Sequence, residues 1–103
     1  MAKPAIVVHG GAGARAPADP EVVAGREGCA AAAAIGYAVL ATGGRAIDAV
    51  QAAVRALEDD ERFNAGRGSV LTRAGTVEMD AAVMDGHTLA AGAVAAVDRK
   101  SVV

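Results

Sequence analysis

Apolar runs and glycine-rich breaks alternate along the first half of the chain. The apolar run 5–8 leads into the glycine-rich segment 9–13, which predicts a buried strand followed by a sharp loop. The segment 19–21, Asp-Pro-Glu, is typical of a helix start, with Asp as the N-cap and Pro in the first turn. We expect this helix to end at residue 41 or 42, because two glycines follow at 43–44.

A second helix is predicted by apolar residues that recur at intervals of three and four. It ends in the acidic run 58–61, where the helix dipole disfavours negative charge, so this run needs a further explanation. The predicted apolar face consists of Ile47, Val50, Val54 and Leu57.

In the second half of the chain, the spacing of apolar residues changes from the period of a helix to that of a strand. Strands are predicted over 69–72, 77–84 and 89–97, with turns at 73–75 and 85–86. The predicted order is therefore strand, two helices and three strands. This order favours a single layered α/β or α+β domain in which the helix pair covers one face of a sheet.

Composition narrows the function classes. Of 103 residues, 28 are Ala and 13 are Gly, so little bulky apolar material is left for an independent core, and a complete enzyme is not expected. The net charge of −2 does not favour binding to nucleic acid, and the single cysteine, Cys29, excludes an internal disulfide. No apolar run reaches the roughly 18 residues of a membrane span, and the first residues lack the apolar region of a signal peptide. We therefore expect a cytoplasmic protein without a membrane partner.

The glycine loop has two interpretations. A strand, a glycine-rich turn and a helix start together could cradle a phosphate group, which keeps a nucleotide-binding domain open as a hypothesis. However, Gly10, Gly11 and Gly13 do not have the spacing of either standard phosphate-binding motif. The favoured interpretation is a tight turn where a neighbouring backbone passes close.

The acidic run 58–61 has three interpretations. It could be a solvated charged face, a carboxylate metal site, or a place where the helix unwinds so that backbone carbonyls bind a cation. Four consecutive acids on a helix point in different directions, which argues against the carboxylate site. From the spacing alone, the solvated face is favoured.

The remaining polar candidates are predicted to be structural. His9 and His87 have no metal-ligand spacing, so hydrogen bonding in turns is the expected role. Glu78 and Asp80 share one face of a predicted strand and permit a carboxylate pair, while Asp85 is typical of a turn. A structural role is favoured for all of them.

Taken together, the segments identify a known family. They resemble, in order, the motifs of the plant-type asparaginases, also called isoaspartyl peptidases, which are N-terminal-nucleophile hydrolases. The resemblance extends to about Val97. The matching segments are 9–13, 47–50, 57–59, 63–72, 77–81, 84–86 and 92–95.

The resemblance implies a fold, an activity and partners. The fold would be the αββα sandwich of these hydrolases, of which residues 1–103 would form a partial domain, the N-terminal part of the α subunit. Such precursors cut themselves into α and β subunits, and the new N-terminal Thr of β hydrolyses the side-chain amide of L-asparagine or a β-aspartyl dipeptide. The implied partners are that small-molecule substrate, the remainder of the α subunit, the β subunit, and further αβ units in a homo-oligomer. No catalytic cofactor is implied.

The resemblance also implies roles for residues near the acidic run. Asn64 matches an asparagine that lies beside the catalytic threonine, which is a supporting role. A structural sodium ion is implied in the same loop, held by oxygen ligands, as hard cations prefer. The implied ligands are the main-chain carbonyls of Leu57, Glu58, Asp60, Phe63, Ala65 and Arg67.

The chain departs from the family in what it does not contain. The nucleophile, the oxyanion donors and the residues that grip the substrate have no counterpart here, so these 103 residues alone are expected to be inactive. Gly75-Thr76-Val77 imitates the cleavage signature but lies in a predicted turn before Glu78. The segment 98–103 also departs from the pattern, as a truncation or a frameshift would produce. A non-catalytic module that associates with itself or with a partner is the alternative.

Overall fold

The computed structural model describes residues 3–12 and 16–97. Two helices come first, α1 (Pro20–Ala41) and α2 (Ala46–Asp59), followed by a short 3₁₀ helix, Gly66–Gly68. Two strands follow, β1 (Met79–Met84) and β2 (Ala91–Val97), which pair antiparallel. These residues form a small α plus β unit with two helices and a two-stranded sheet.

Helix α1 has the ends that its sequence predicts. The Asp19 carboxylate accepts a hydrogen bond from the Glu21 backbone N–H at 2.8 Å, and Pro20 occupies the first turn. The helix ends at Ala41, and Gly43 then takes a φ of +86°, a conformation that glycine adopts without strain. Both predicted boundaries are confirmed.

The two helices approach closely along small residues. Gly28, Ala32 and Gly36 are the buried residues of α1 and lie four positions apart, so they form one ridge. A Cβ built on Gly36 would lie 2.9 Å from the carbonyl oxygen of Ala49 and 3.2 Å from the Cβ of Ala53. Because nothing larger than hydrogen fits there, this glycine sets the distance between the helices.

The predicted apolar face of α2 is therefore only partly right. The buried apolar residues of α2 are Ala49 and Ala53, whereas Val50 is 40% exposed. Ile47, Val54 and Leu57 are half-buried at the flanks of the contact. The backbones come too close for branched side chains, so the alanines occupy the centre of the interface.

Two of the four predicted strands do not form. Residues 5–8 and 69–72 belong to no strand, because a strand requires a neighbour with which to share backbone hydrogen bonds. The other two are trimmed by two residues at their N-terminal ends, to Met79–Met84 and Ala91–Val97. The turn predicted at 85–86 is confirmed and joins them through a loop that reaches residue 90.

The sheet lacks the helical cover that the pattern predicts. Six of the seven residues of β2 are exposed, and Met84 at the end of β1 is 56% exposed. Within the described ranges, α1 packs on α2 and β1 packs on β2, so the helix pair does not cover a sheet face here.

Helix α1 is long and apolar enough to cross a membrane, judged by length and composition alone. Its most apolar 18-residue window has a mean hydropathy of 1.2. The core helices of soluble proteins meet the same criterion, and the ridge of α1 packs on α2. This property is therefore weak support for a membrane span.

Candidate functional site

One open cleft brings together the two motifs that the sequence singles out. Its walls are residues 9–12 of the glycine loop, the first three turns of α1, the end of α2 and residues 62–65. The glycine loop and the Asn64 segment, more than fifty positions apart in the chain, thus face the same space.

Phe63 anchors the cleft. Its side chain is 7% exposed, and its ring fills the space left by two glycines. A Cβ on Gly10 would lie 2.7 Å from Phe63 Cε1 and 2.6 Å from Cys29 Sγ, and a Cβ on Gly28 would lie 2.6 Å from Phe63 Cε2. These distances are too short for carbon atoms, so both positions require glycine for the ring to seat. Phe63 thereby joins the glycine loop, α1 and the segment after α2.

Asn64 is held by the chain that follows it. Its Oδ1 accepts a hydrogen bond from the Val70 backbone N–H at 2.9 Å, while the residue stays exposed at the cleft. This bond spans six residues and closes the loop on itself. The side chain is thus oriented before any ligand binds.

Residues 9–12 of the glycine loop form no regular turn, and the groups that come close to Gly10 are the side chains of Cys29 and Phe63, not a neighbouring backbone as the sequence interpretation expected. His9 Nδ1 accepts a hydrogen bond from the Gly11 N–H at 3.1 Å, and Gly11 has a φ of +121°. The hydrogen-bonding role predicted for His9 is thereby confirmed. Gly13 lies outside the described residues. Residues 5–8 form no strand, so the strand that precedes the loop in a phosphate-binding site is missing here.

The acidic run at the end of α2 is not simply a solvated face. Glu58 is only 6% exposed, because its backbone and Cβ pack against Gly66 of the 3₁₀ helix. Glu61, by contrast, is exposed and pairs with Arg67 at 3.3 Å. No group of three or more metal-binding side chains occurs among residues 3–12 and 16–97, so these acids do not converge into a carboxylate site.

Asp60 ends α2 and is bound by Arg62. Its carboxylate accepts hydrogen bonds from the Arg62 backbone N–H at 3.0 Å and from the guanidinium at 2.9 and 2.7 Å. The hydrogen bonds from Arg62 hold the pKa of this carboxyl below its usual value. Asp60 therefore remains ionised at neutral pH.

The candidates in the second half of the chain do not reach the cleft. Asp80 Oδ1 accepts from the Ala96 N–H and Asp85 Oδ1 accepts from the His87 N–H, both at 2.9 Å. These are the structural roles that the sequence predicts. Glu78 is exposed and lies just before β1, so it forms no strand-face pair with Asp80.

The threonine that imitates a cleavage signature lies in a turn. Thr76 Oγ1 is 2.9 Å from Thr72 Oγ1, and the Thr72 N–H donates to the Thr76 carbonyl at 2.7 Å. The predicted turn over 73–75 is confirmed, with Gly75 at a φ of +80°. The Thr76 hydroxyl is thus engaged in closing this turn.

Comparison with known proteins decides the family. A family model described as Asparaginase matches residues 2–101. The chain belongs to the asparaginase family. The family resemblance drawn from the motifs is thereby confirmed, and the Ntn-hydrolase class comes with it.

Curated members of the asparaginase family match closely over a limited length. The isoaspartyl peptidase/L-asparaginase of Homo sapiens is 53% identical over 94 residues, which cover 91% of this chain and 30% of the relative. That of Danio rerio is 55% identical over 98 residues, with 93% and 30% covered. The plant-type L-asparaginase of Thermococcus kodakarensis is 54% identical over 95 residues, with 90% and 30% covered. The chain thus spans about 30% of the length of these relatives.

Two side chains of this family member were not identified from the sequence. Cys29 lies beside Gly10 at the cleft, and Arg62 bonds both to Asp60 and to Glu27 of α1. Gly28 contacts the Phe63 ring only in the folded chain, so the sequence around Gly28 carries no local signal of this contact. Contacts between distant segments carry no periodicity, so only the family motif around 63–72 pointed to this region.

Proposed function

We propose that this chain is the N-terminal part of an isoaspartyl peptidase/L-asparaginase. The complete enzyme would hydrolyse the side-chain amide of L-asparagine, or a β-aspartyl dipeptide, to release L-aspartate. The observation that carries the proposal is the cleft, in which an asparaginase-family chain joins its glycine loop to Asn64. The proposed setting is an αββα sandwich in the cytoplasm, and the exposed strands β1 and β2 would lie inside its sheets.

The chemistry would be divided between this chain and the remainder of the enzyme. An N-terminal Thr would attack the amide carbon, its own amine would take the hydroxyl proton, and ammonia or an amino acid would leave. Water would then hydrolyse the acyl-enzyme to aspartate. Asn64, fixed by its bond from Val70, would support the threonine from the side of the cleft. These 103 residues would help to position the catalytic threonine, and the threonine itself would belong to the β subunit.

The loop after α2 fits the proposed sodium site in its donor chemistry. Its ligands would be the carbonyl oxygens already named, and a hard cation prefers oxygen. Two glycines let the loop fold tightly, because a Cβ on Gly66 would collide with Glu58 O and one on Gly68 with Phe63 O. A bound sodium ion would supply a positive charge that holds these carbonyl oxygens together and so orders the loop next to Asn64.

Aspartate release tests the proposal. The 103-residue polypeptide alone is expected to release none from L-asparagine or a β-aspartyl dipeptide. The same residues joined to the remaining 70% of the Danio rerio relative are expected to be active, and Asn64→Ala in the joined protein is expected to lower activity. Activity of the polypeptide alone, or a folded joined protein without activity, would contradict the proposal.

A second candidate function is a non-catalytic module that binds a partner or itself. The exposed apolar residues favour it: Ile35 and Tyr37 on α1 are 49% and 42% exposed, and Leu89 and Val94 in the hairpin are 67% and 44% exposed. For this candidate the partner would be a separately encoded complementary fragment or a second copy of this chain. In the complete enzyme, by contrast, the proposed partners are the remainder of the α subunit and the β subunit, and αβ units would form a homo-oligomer. Light scattering that shows a stable monomer of 10.1 kDa would count against this candidate.

A further inference from the structure

Arg62 connects the loop after α2 to helix α1. Its Nε donates to Asp60 Oδ1 at 2.9 Å and its Nη2 donates to Oδ2 at 2.7 Å. Its Nη1 reaches Glu27 Oε2 on α1 at 3.5 Å, across 35 positions of sequence. The pair of bonds to Asp60 restricts rotation of the guanidinium plane, and the single longer bond to Glu27 links its other side to α1.

The same loop contacts α1 at a second point. A Cβ on Gly28 would lie 2.8 Å from Asp60 Oδ2, so this carboxylate rests directly on the helix. Phe63, the next residue after Arg62, is buried against the same glycine. The loop is therefore fixed to α1 by an ionic contact on its outer side and an apolar contact beneath it.

We infer that Arg62 is a positioning residue, which holds the segment 60–65 on α1 and thereby sets the orientation of Asn64 at the cleft. Arg62 acts through Asp60 and Glu27 and not on a substrate. The inference rests on the proposed function in one respect only, namely that the orientation of Asn64 would serve catalysis. The contact itself can be tested on the 103-residue chain.

Stability is a poor readout for this role, because exposed ion pairs contribute little to it. Arg62 is 42% exposed and Glu27 is 69% exposed. How well the segment 60–65 is ordered is a direct readout of whether Arg62 holds it in place. The Val70 N–H donates to Asn64 Oδ1, so its hydrogen exchange reports how often Asn64 leaves its position.

The experiment measures amide exchange in the wild type, Arg62→Gln, Arg62→Lys and Glu27→Gln. Arg45→Gln is the matched control, since Arg45 also forms an exposed ion pair, with Asp48 at 3.2 Å, but at the N-terminal end of α2, away from the loop. We expect Arg62→Gln and Glu27→Gln to raise the Val70 exchange rate about two- to fivefold, the range that exposed pairs allow, with a smaller rise in Arg62→Lys. The Ala53 amide should not change.

Two results would overturn the inference. One is a Val70 exchange rate in Arg62→Gln that equals that of the Arg45→Gln control. The other is a wild-type Val70 amide that exchanges as fast as an unprotected one. Neither depends on catalysis. Failure of the proposed function would instead appear as a folded joined protein that releases no aspartate, so the two failures are distinguishable.

Discussion

The ring of Phe63 occupies the space that a side chain at Gly28 would fill. A Cβ at Gly28 would lie 2.6 and 2.7 Å from two ring carbons, Cε2 and Cζ. This contact joins α1 to the segment that carries Asn64. It makes a glycine in the middle of a helix necessary, although glycine weakens a helix interior by about 0.5–1 kcal/mol relative to alanine.

The first prediction follows from this contact. Gly28→Ala should lower the free energy of unfolding by about 1–3 kcal/mol, because the new methyl group displaces the Phe63 ring. Gly25→Ala is the matched control on the same helix, since a Cβ there meets nothing within 4 Å. That control should raise stability by about 0.5–1 kcal/mol. Urea denaturation followed by circular dichroism measures both, and equal effects of the two substitutions would show that the Phe63 ring does not require a glycine at position 28.

A second prediction concerns a bulge in β2. Met79 pairs with Val97 and Ala81 pairs with Val94, so β2 has one residue more than β1 in this interval. Ala96 takes a φ of +53° there, and its N–H donates to Asp80 Oδ1. The left-handed conformation costs alanine about 1 kcal/mol, and glycine avoids most of this cost.

Ala96→Gly should therefore raise the free energy of unfolding by up to about 1 kcal/mol. Ala95→Gly, one position earlier in the same strand, should instead lower it by about 0.5–1 kcal/mol. Chemical denaturation of both variants provides the comparison. A loss of stability in Ala96→Gly as large as that in Ala95→Gly would show that the bulge is not strained.

A third prediction concerns pH. The hydrogen bonds from Arg62 lower the pKa of Asp60 in the folded chain, so ionised Asp60 stabilises the fold above the unfolded carboxyl pKa of about 3.9. This contribution is lost as pH falls through the lower, folded pKa. The stability difference between wild type and Asp60→Asn should therefore be constant between pH 7 and 5 and shrink below about pH 4.

Thermal unfolding of the two proteins between pH 7 and 3 measures this difference. Asp48→Asn is a control carboxylate on α2, where Asp48 pairs with Arg45 away from the loop. If the wild-type and Asp60→Asn curves stay parallel down to pH 3, the bond between Asp60 and Arg62 does not stabilise the folded chain.

Local signals in the sequence predicted the helices, and the reason is physical. The Asp19 cap and Gly43 act within one turn of the helix end, so their effect can be read from neighbouring residues. The strand predicted at 5–8 failed because a strand depends on a partner that local pattern does not supply. The apolar face of α2 failed for a related reason, since the distance between the helices is set by Gly36 on the other helix.

The candidate site was predictable only where a motif marked it. Asn64 was singled out by the family pattern, and the structure brings it to the same cleft as the glycine loop. The contact of Arg62 with Glu27 and that of Phe63 with Gly28 span about 35 positions each. No periodicity connects residues at such separations, so these contacts required the fold.

We propose that these residues belong to a longer hydrolase whose nucleophile they do not contain. Sequencing the source DNA through and beyond codon 103, in all three frames, tests this proposal. We expect a coding stretch that includes Gly-Thr-Val-Gly, followed by the β subunit of an asparaginase. If no frame encodes such a stretch, the claim is contradicted and the non-catalytic module takes its place.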